Sequence, residues 1–127
     1  MNSDERVVYR ILEAARKVHG VLGCGFPEVI YERALITELR SNGLQVEKEK
    51  TIRIWYASRV VGKHRLDLLV DKTIVVELKA ISELEDIFLA RTRSYLKALD
   101  LKHGLILNFA TMPLTIKRVH REPSHKD

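Results

Sequence analysis

Hydrophobic positions follow two different periods along this chain. Apolar residues recur every three or four positions in three stretches, as they do in amphipathic helices. These stretches are residues 4–19, 27–41 and 82–99. In five others, apolar residues alternate with polar ones or form short continuous runs, as they do in strands. These are residues 44–56, 60–70, 73–79, 103–109 and 114–119. The pattern therefore predicts the element order ααβββαββ.

Capping residues predict where the helices begin and end. Ser3 is a candidate N-cap of the first helix, and Gly20 is a candidate stop. Pro27 suits the first position of the second helix. Ser82 and Glu85 have the spacing of a capping box, so the third helix is expected to begin there.

The segment from Arg65 to Lys79 predicts a β-hairpin with charged residues in its strands. Its aliphatic residues at even positions are expected to share one buried face, because side chains alternate along a strand. These residues are Leu66, Leu68, Val70, Ile74, Val76 and Leu78. With residues 71–73 as the loop, this register pairs Asp67 with Glu77 and Arg65 with Lys79. Asp67, Glu77 and Lys79 are then expected to converge on the opposite face.

Two adjacent carboxylates repel each other unless a cation or a proton lies between them. Lys79 can neutralise one carboxylate of the Asp67–Glu77 pair, and a divalent metal can bind both. Carboxylate oxygens suit Mg²⁺ or Mn²⁺, which keep several waters and also bind substrate phosphates. The residues alone leave both alternatives open.

The Asp67…Glu77-x-Lys79 arrangement resembles the core of the PD-(D/E)XK nuclease superfamily. Residues 25–31, Gly-Phe-Pro-Glu-Val-Ile-Tyr, are similar to the pattern that names the GxxExxY family within it, and the likeness extends over residues 7–119. The resemblance implies an α/β, three-layer, restriction-endonuclease-like fold with a central mixed β-sheet flanked by helices. It also implies a metal-dependent nuclease that hydrolyses phosphodiester bonds of DNA or RNA.

The resemblance also implies roles for individual residues. Asp67, Glu77 and Lys79 would be catalytic. Asp67 and Glu77 would bind Mg²⁺ or Mn²⁺, with Glu28 as a third ligand and Glu32 as the alternative to it. The residues expected to contact substrate are Arg91, Arg65, Tyr31 and Tyr95.

This chain departs from the family pattern in the third helix. Members typically carry His and Gln where this sequence has Phe88 and Arg91. Arg91 can grip a substrate phosphate, because guanidinium binds phosphate through paired donors. It can equally take the metal's place beside the carboxylates. The alternative function is then a catalytically inactive nucleic-acid-binding or protein-interaction module, and a homodimeric structural protein is a third possibility.

Composition limits the class of protein. The 127 residues suffice for one domain, predicted over residues 1–119 with a polar tail over 120–127. A net charge of +5 permits nucleic acid as the partner. No apolar stretch reaches the ~18 residues of a membrane helix. The single cysteine and the polar N-terminus fit a cytoplasmic location without membrane contact.

Two ring side chains near the hairpin have alternative interpretations. Trp55 can stack on a base, but half-buried packing against the protein is the interpretation favoured for a strand residue. His64 can touch a phosphate, but its position predicts an exposed histidine at the end of a strand.

Overall fold

The structure, a computed structural model, describes residues 1–121, so the predicted tail lies outside the described residues from 122 onward. It contains three helices and five strands in the predicted order ααβββαββ. They are α1 (Ser3–Leu22), α2 (Glu28–Ser41), β1 (Val46–Tyr56), β2 (Arg59–Val70), β3 (Ile74–Lys79), α3 (Asp86–Leu99), β4 (His103–Asn108) and β5 (Thr115–His120).

The five strands form one mixed sheet in the order β1-β2-β3-β4-β5. All neighbouring strands are antiparallel except β3 and β4, which are parallel. A parallel pair needs a crossover connection, and α3 supplies it. The predicted three-layer α/β fold, with a central mixed sheet between helices, is confirmed.

The helices divide between the two faces of the sheet. Buried residues of α1 and α2 pack with Leu68, Val70, Ile74, Val76 and Leu78 in one apolar cluster. A smaller cluster forms on the other face, under α3. Its buried members are Ile52, Leu66, Leu69, Val75, Leu96, Ile106 and Val119. One face therefore carries two helices and the other carries one.

The register of the β2–β3 hairpin is as predicted. Val70 pairs with Ile74, and the ladder continues to the pair of Leu68 with Val76. The loop has three residues, of which Asp71 and Lys72 have positive φ values of 49° and 59°.

The predicted face of Leu66 was wrong. Leu66 lies in the cluster under α3, although Leu68 lies in the cluster under α1 and α2. The alternation breaks between them, at Asp67. Asp67 lies opposite Glu49, which has a φ of 52° and is skipped in the pairing of β1 with β2. Because a left-handed residue rotates the strand locally, the residues before Asp67 turn toward α3.

Both ends of α1 differ from the prediction. The N-cap is Asn2, whose side-chain oxygen accepts a hydrogen bond from the backbone N–H of Glu5 at 2.9 Å. The helix continues through Gly20 and ends at Gly23, where φ is 70°. A glycine inside a helix costs only about 1 kcal/mol relative to alanine, and here the packing of Leu22 against the core extends the helix.

The predicted capping box of α3 does not form, because this helix begins at Asp86, after Ser82 and Glu85. The preceding segment is held in another conformation by the buried amide of Asn108. Asn108 Nδ2 donates to the carbonyl oxygen of Ile81 at 2.8 Å, and its Oδ1 accepts from the N–H of Ile81 at 3.1 Å.

The tip of the β1–β2 hairpin lies in solvent. Every residue from 55 to 63 is exposed, and Trp55 has 61% of its surface accessible. The predicted half-buried packing of Trp55 was wrong, because the hairpin extends beyond the residues that the helices cover. In the part of the chain that the structure describes, no helix combines the length and the apolar character needed to cross a membrane.

Candidate active site

The candidate site lies where the backbone ladder between β2 and β3 stops. Beyond the pair of Leu68 with Val76, side chains replace the backbone hydrogen bonds. The N–H of Asp67 donates to Glu77 Oε2 at 3.3 Å, and the N–H of Leu78 donates to Asp67 Oδ2 at 2.8 Å. The two carboxylates are thus fixed between the strands by the backbone itself.

Glu77 is buried in a manner that calls for a cation or a proton. Only 6% of its surface is exposed, and its Oε1 accepts no hydrogen bond from any group in residues 1–121. Burial, followed by hydrogen bonding to Asp67 and the negative charge of Asp67, raises the pKa of Glu77 to about 9. Near neutral pH the metal-free pair therefore holds one proton.

A cavity of about 120 Å³ opens beside these carboxylates, between the sheet and α3. Strands β2, β3 and β4 form its floor, and one face of α3 forms its wall. The lining residues are His64, Arg65, Asp67, Glu77, Lys79, Phe88, Arg91, Thr92, Tyr95 and Ile106.

α3 lies close to the sheet at this point because β4 has a glycine beneath it. A Cβ at Gly104 would lie 3.1 Å from Cγ2 of Thr92 and 3.6 Å from Cδ1 of Leu96. The missing side chain therefore lets the cavity wall approach the floor.

The two cations of the cavity that lie nearest Phe88 are held at its ring. Lys79 Nζ lies 4.7 Å from the ring centroid, and Arg91 Cζ lies 5.5 Å from it. Such contacts attract cations through the ring quadrupole. Phe88 therefore offers both side chains a partner other than a carboxylate.

Arg91 does not neutralise the carboxylate pair. Within residues 1–121, its guanidinium forms no ion pair with Asp67 or Glu77. Arg91 is exposed at the edge of the cavity, against Phe88. The predicted alternative, a site filled by Arg91, is therefore not the geometry that the structure shows.

His64 lines the cavity, although the sequence favoured an exposed position for it at the end of a strand. Its ring stacks on Tyr95 with centroids 3.7 Å apart, and its Nε2 lies 3.5 Å from Glu77 Oε1. Burial lowers the pKa of His64, and the positive charges of Lys79 and Arg91 add to this against the opposing charge of Asp67. The predicted exposed histidine was wrong, because the break in alternation turns His64 toward α3.

Tyr95 and Arg65 line the cavity. Both were expected to contact substrate, and their position in the cavity allows this. Tyr95 is half-buried. Burial raises the pKa of its hydroxyl, as does the negative charge of Glu77, so that Tyr95 is a neutral hydrogen-bonding group at the cavity edge.

The two acids of α2 lie near Asp67 but do not line the cavity. Burial and the charge of Asp67 raise the pKa of Glu28, while Lys79 opposes this rise. Burial and the charges of Asp67, Glu49 and Glu28 raise the pKa of Glu32, in that order, while Lys48 opposes this rise. Asp67 therefore acts on both acids, and Lys79 acts on Glu28 as well.

Tyr31 is not brought to the cavity. It is fully buried and stacks on Phe109, with ring centroids 4.7 Å apart. Its hydroxyl donates to the carbonyl oxygen of Gly23 at 2.5 Å and accepts from the N–H of Phe26 at 3.2 Å. Since both contacts are internal, Tyr31 fixes the loop before α2 and has no surface for substrate.

Asn108 is a further residue that supports the site. It is the register partner of Lys79, and Phe109 N–H donates to the carbonyl oxygen of Lys79 at 2.9 Å. Together with the bonds from Asn108 to Ile81, these contacts fix the end of β3 from which the Lys79 side chain leaves.

A divalent metal fits the donor set of this site. No group of three or more His, Cys, Asp or Glu side chains placed to hold a metal occurs among residues 1–121. Mg²⁺ does not require one, because it commonly binds one or two carboxylates and completes its shell with water and phosphate oxygens. The unpartnered Oε1 of Glu77, beside Asp67, offers such an ion a free oxygen.

Comparison with known proteins agrees with this geometry. Curated proteins give no match to the chain. Among solved structures, the crystal structure of SSO0001 superposes with a TM-score of 0.59 and 18% sequence identity, which shows a shared fold. The superposition covers 76% of this chain and 50% of SSO0001, so the chain spans half the length of that protein. A sequence model of the PD-(D/E)XK nuclease superfamily matches residues 5–119. Because this match covers nearly all of the three helices and five strands, the chain belongs to the PD-(D/E)XK nuclease superfamily.

Proposed function

We propose that this protein is a metal-dependent nuclease that hydrolyses phosphodiester bonds of DNA or RNA. The resemblance of residues 25–31 to the GxxExxY pattern supports a place in that branch of the superfamily. One observation carries the proposal: Asp67 and Glu77 converge, and the buried Glu77 keeps an oxygen that accepts no hydrogen bond within residues 1–121. A pair of carboxylates held in this way is suited to a divalent cation.

In this proposal Asp67 and Glu77 hold Mg²⁺ or Mn²⁺, and Glu28 supports them from the start of α2. When bound, the ion lowers the pKa of a coordinated water and neutralises charge on the phosphate. The backbone N–H groups of Asp67 and Leu78 keep the two carboxylates in place, because each donates to one of them.

Lys79 supplies positive charge where the phosphate becomes more negative. Its ammonium lies over Phe88 and forms no ion pair within residues 1–121, so it remains available to a phosphate oxygen. Fixed charge of this kind stabilises a transition state more than it stabilises the ground state. Lys79 also orients the attacking water.

Arg91, Arg65 and Tyr95 bind the substrate at the mouth of the cavity. The two guanidinium groups can each bind a phosphate through paired N–H donors. Tyr95 offers a neutral hydroxyl. Its ring and the neutral His64 limit the access of water to Glu77.

The inactive module has less support. In that alternative Arg91 neutralises the carboxylates, and Arg91 lies against Phe88 instead. A charged cluster that only fixes the register would hold its charges in ion pairs, and within residues 1–121 neither Arg91 nor Lys79 forms one. The nuclease therefore accounts better for a carboxylate pair that is neutralised by a proton and by neither of these cations.

The proposal is tested by incubating the protein with single-stranded and duplex DNA and RNA in Mg²⁺, in Mn²⁺ and in EDTA. Metal-dependent cleavage is expected, with its loss in Glu77→Gln and Lys79→Ala. Glu83→Gln and Lys97→Ala change exposed residues of the same types outside the site and should cleave normally. Cleavage that survives both site substitutions, or no cleavage of any substrate, would overturn the proposal.

A further inference from the structure

A second depression lies beside the cavity, between β1 and the C-terminal end of α3. It is an open groove of about 440 Å³. The residues that line it include Lys50, Arg53 and Trp55 from β1 and Leu99 from α3. The groove thus combines an aromatic ring and two cations with an apolar wall.

The groove lies next to the candidate active site. In the β1–β2 ladder, Ile52 of the groove pairs with His64 of the cavity, and Thr51 pairs with Arg65. On α3, Tyr95 of the cavity and Leu99 of the groove lie four residues apart, about one helical turn. A bound polymer that extends from the carboxylates past His64 would therefore reach this groove.

Trp55 is the most unusual residue of the groove. It is the single tryptophan of the chain, and it is 61% exposed on the edge strand of the sheet. An exposed aromatic side chain at a sheet edge invites association with other chains. The ring is therefore placed where it can contact a ligand or another chain.

The charge around Trp55 indicates what that ligand is. Residues 51–63 contain Arg53, Arg59 and Lys63 and no acidic residue. Lys50 forms an ion pair with Glu47, with 3.4 Å between Lys50 Nζ and Glu47 Oε2. Arg53 forms no ion pair within residues 1–121. An aromatic ring flanked by free cations is the arrangement that binds a base and its neighbouring phosphates.

We infer that this groove binds a single-stranded segment of nucleic acid, with an unpaired base stacked on Trp55 and an adjacent phosphate on Arg53. The inference rests on the proposed nuclease function, because the same strand would continue over His64 to the carboxylates. The strand must be single, because inside a duplex both faces of every base are stacked on its neighbours and none is free for Trp55. From Ile52 to Trp55 the strand rises by about 10 Å, so the stacked base lies a few nucleotides from the carboxylates.

Trp55 itself reports on this contact, since no other tryptophan contributes fluorescence. The experiment titrates the full-length protein in EDTA with oligonucleotides of about 12 nucleotides, a length within known single-strand site sizes. Single-stranded DNA, single-stranded RNA and the corresponding blunt duplexes form separate arms. Saturable quenching is expected with single strands and not with duplexes, and the DNA and RNA arms show which sugar is accepted.

Binding of labelled oligonucleotides, followed by fluorescence anisotropy, tests the residues. Trp55→Ala should weaken binding about tenfold, and Trp55→Phe should retain most of the affinity. Arg53→Ala should lower the slope of log affinity against log salt by about 1. Tyr9→Ala and Arg16→Ala change an exposed aromatic and an exposed basic residue of α1, on the other side of the sheet, and should bind as the wild type does.

Three results would overturn the inference: no quenching by single strands, equal quenching by duplexes, or unchanged affinity in Trp55→Ala. A second copy of the chain in the groove would instead make Trp55 fluorescence depend on protein concentration alone, with a dimer in light scattering that Trp55→Ala abolishes. Because binding is measured in EDTA, it is independent of cleavage. If single strands stack on Trp55 but no metal-dependent cleavage occurs, the nuclease function is refuted and the binding groove is supported. If cleavage occurs without stacking, the binding groove is refuted and the nuclease function is supported.

Discussion

The two faces of the sheet are built for different purposes. Two helices, α1 and α2, close one face around a continuous apolar cluster. A single helix, α3, covers the other face only in part and leaves the cavity and the groove beside it. Burial of this apolar cluster stabilises the first face. On the second face, incomplete cover leaves a buried carboxylate pair and free cations within reach of a ligand.

The largest expected effect is on the α3 face. Glu77→Gln should lower kcat/KM for nucleic acid cleavage by about 10³-fold or more, because the metal loses a ligand and the transition state loses its compensating charge. Far-UV circular dichroism should stay unchanged, since glutamine has nearly the same shape. If Glu77→Gln retains more than about a tenth of the wild-type activity, the carboxylate pair is not the catalytic centre.

A substitution on the opposite face should lower the stability of the fold and leave the cleavage rate nearly unchanged. Leu35→Ala removes a fully buried side chain from the cluster under α1 and α2. It should lower the free energy of unfolding by about 2–5 kcal/mol, measured by urea denaturation. Below the unfolding transition, metal-dependent cleavage should continue at close to the wild-type rate. An equal loss of activity in folded protein would show that the two faces are not separate in function.

A smaller effect is expected on the pH dependence of stability. The folded pKa of Glu77, about 9, is far above its ordinary value of 4.5. Between these values the folded chain holds a proton that the unfolded chain has released, so the stability of the metal-free protein falls as the pH rises. Glu77→Gln removes this loss.

Thermal unfolding in EDTA measures this difference. The Tm of Glu77→Gln should exceed that of the wild type by at least about 4 °C at pH 8, and the gap should narrow toward pH 5. Mg²⁺ should raise the Tm of the wild type and leave that of Glu77→Gln unchanged. A gap that is the same at both pH values would mean that Glu77 does not take up a proton on folding.

The smallest effect concerns Phe88. Phe88→Leu keeps an apolar side chain but removes the ring that holds Lys79 and Arg91, a contact worth about 0.5–1 kcal/mol at exposed sites. The substitution should lower kcat/KM about two- to fivefold, because both cations lose their orientation. A rise in activity would show instead that Phe88 withholds the cations from the substrate.

The local pattern of the sequence was sufficient for much of this architecture. Alternation in two apolar runs, with a three-residue loop between them, predicted the pairing of Leu68 with Val76 and hence the meeting of Asp67 with Glu77. Helical and strand periods predicted the element order. These features depend on neighbours within a few residues, where side-chain periodicity determines which face is buried.

The remaining features depend on contacts that the sequence pattern does not encode. The break in alternation that brings His64 to the site requires a positive φ at Glu49, a residue type that gives no signal for that conformation. The late start of α3 depends on a buried amide at Asn108, far away in sequence. Trp55 is exposed because of where the helices end on the sheet, which a strand pattern cannot show.

The central claim is that Asp67 and Glu77 hold a divalent cation in place of a shared proton. Calorimetric titration of Mn²⁺ into the metal-free protein at pH 7, repeated in buffers with different ionisation enthalpies, measures both the binding and the protons released. The wild type should bind Mn²⁺ with release of about one proton per ion, and Glu77→Gln should show neither. Binding without proton release, or equal binding by Glu77→Gln, would contradict the account.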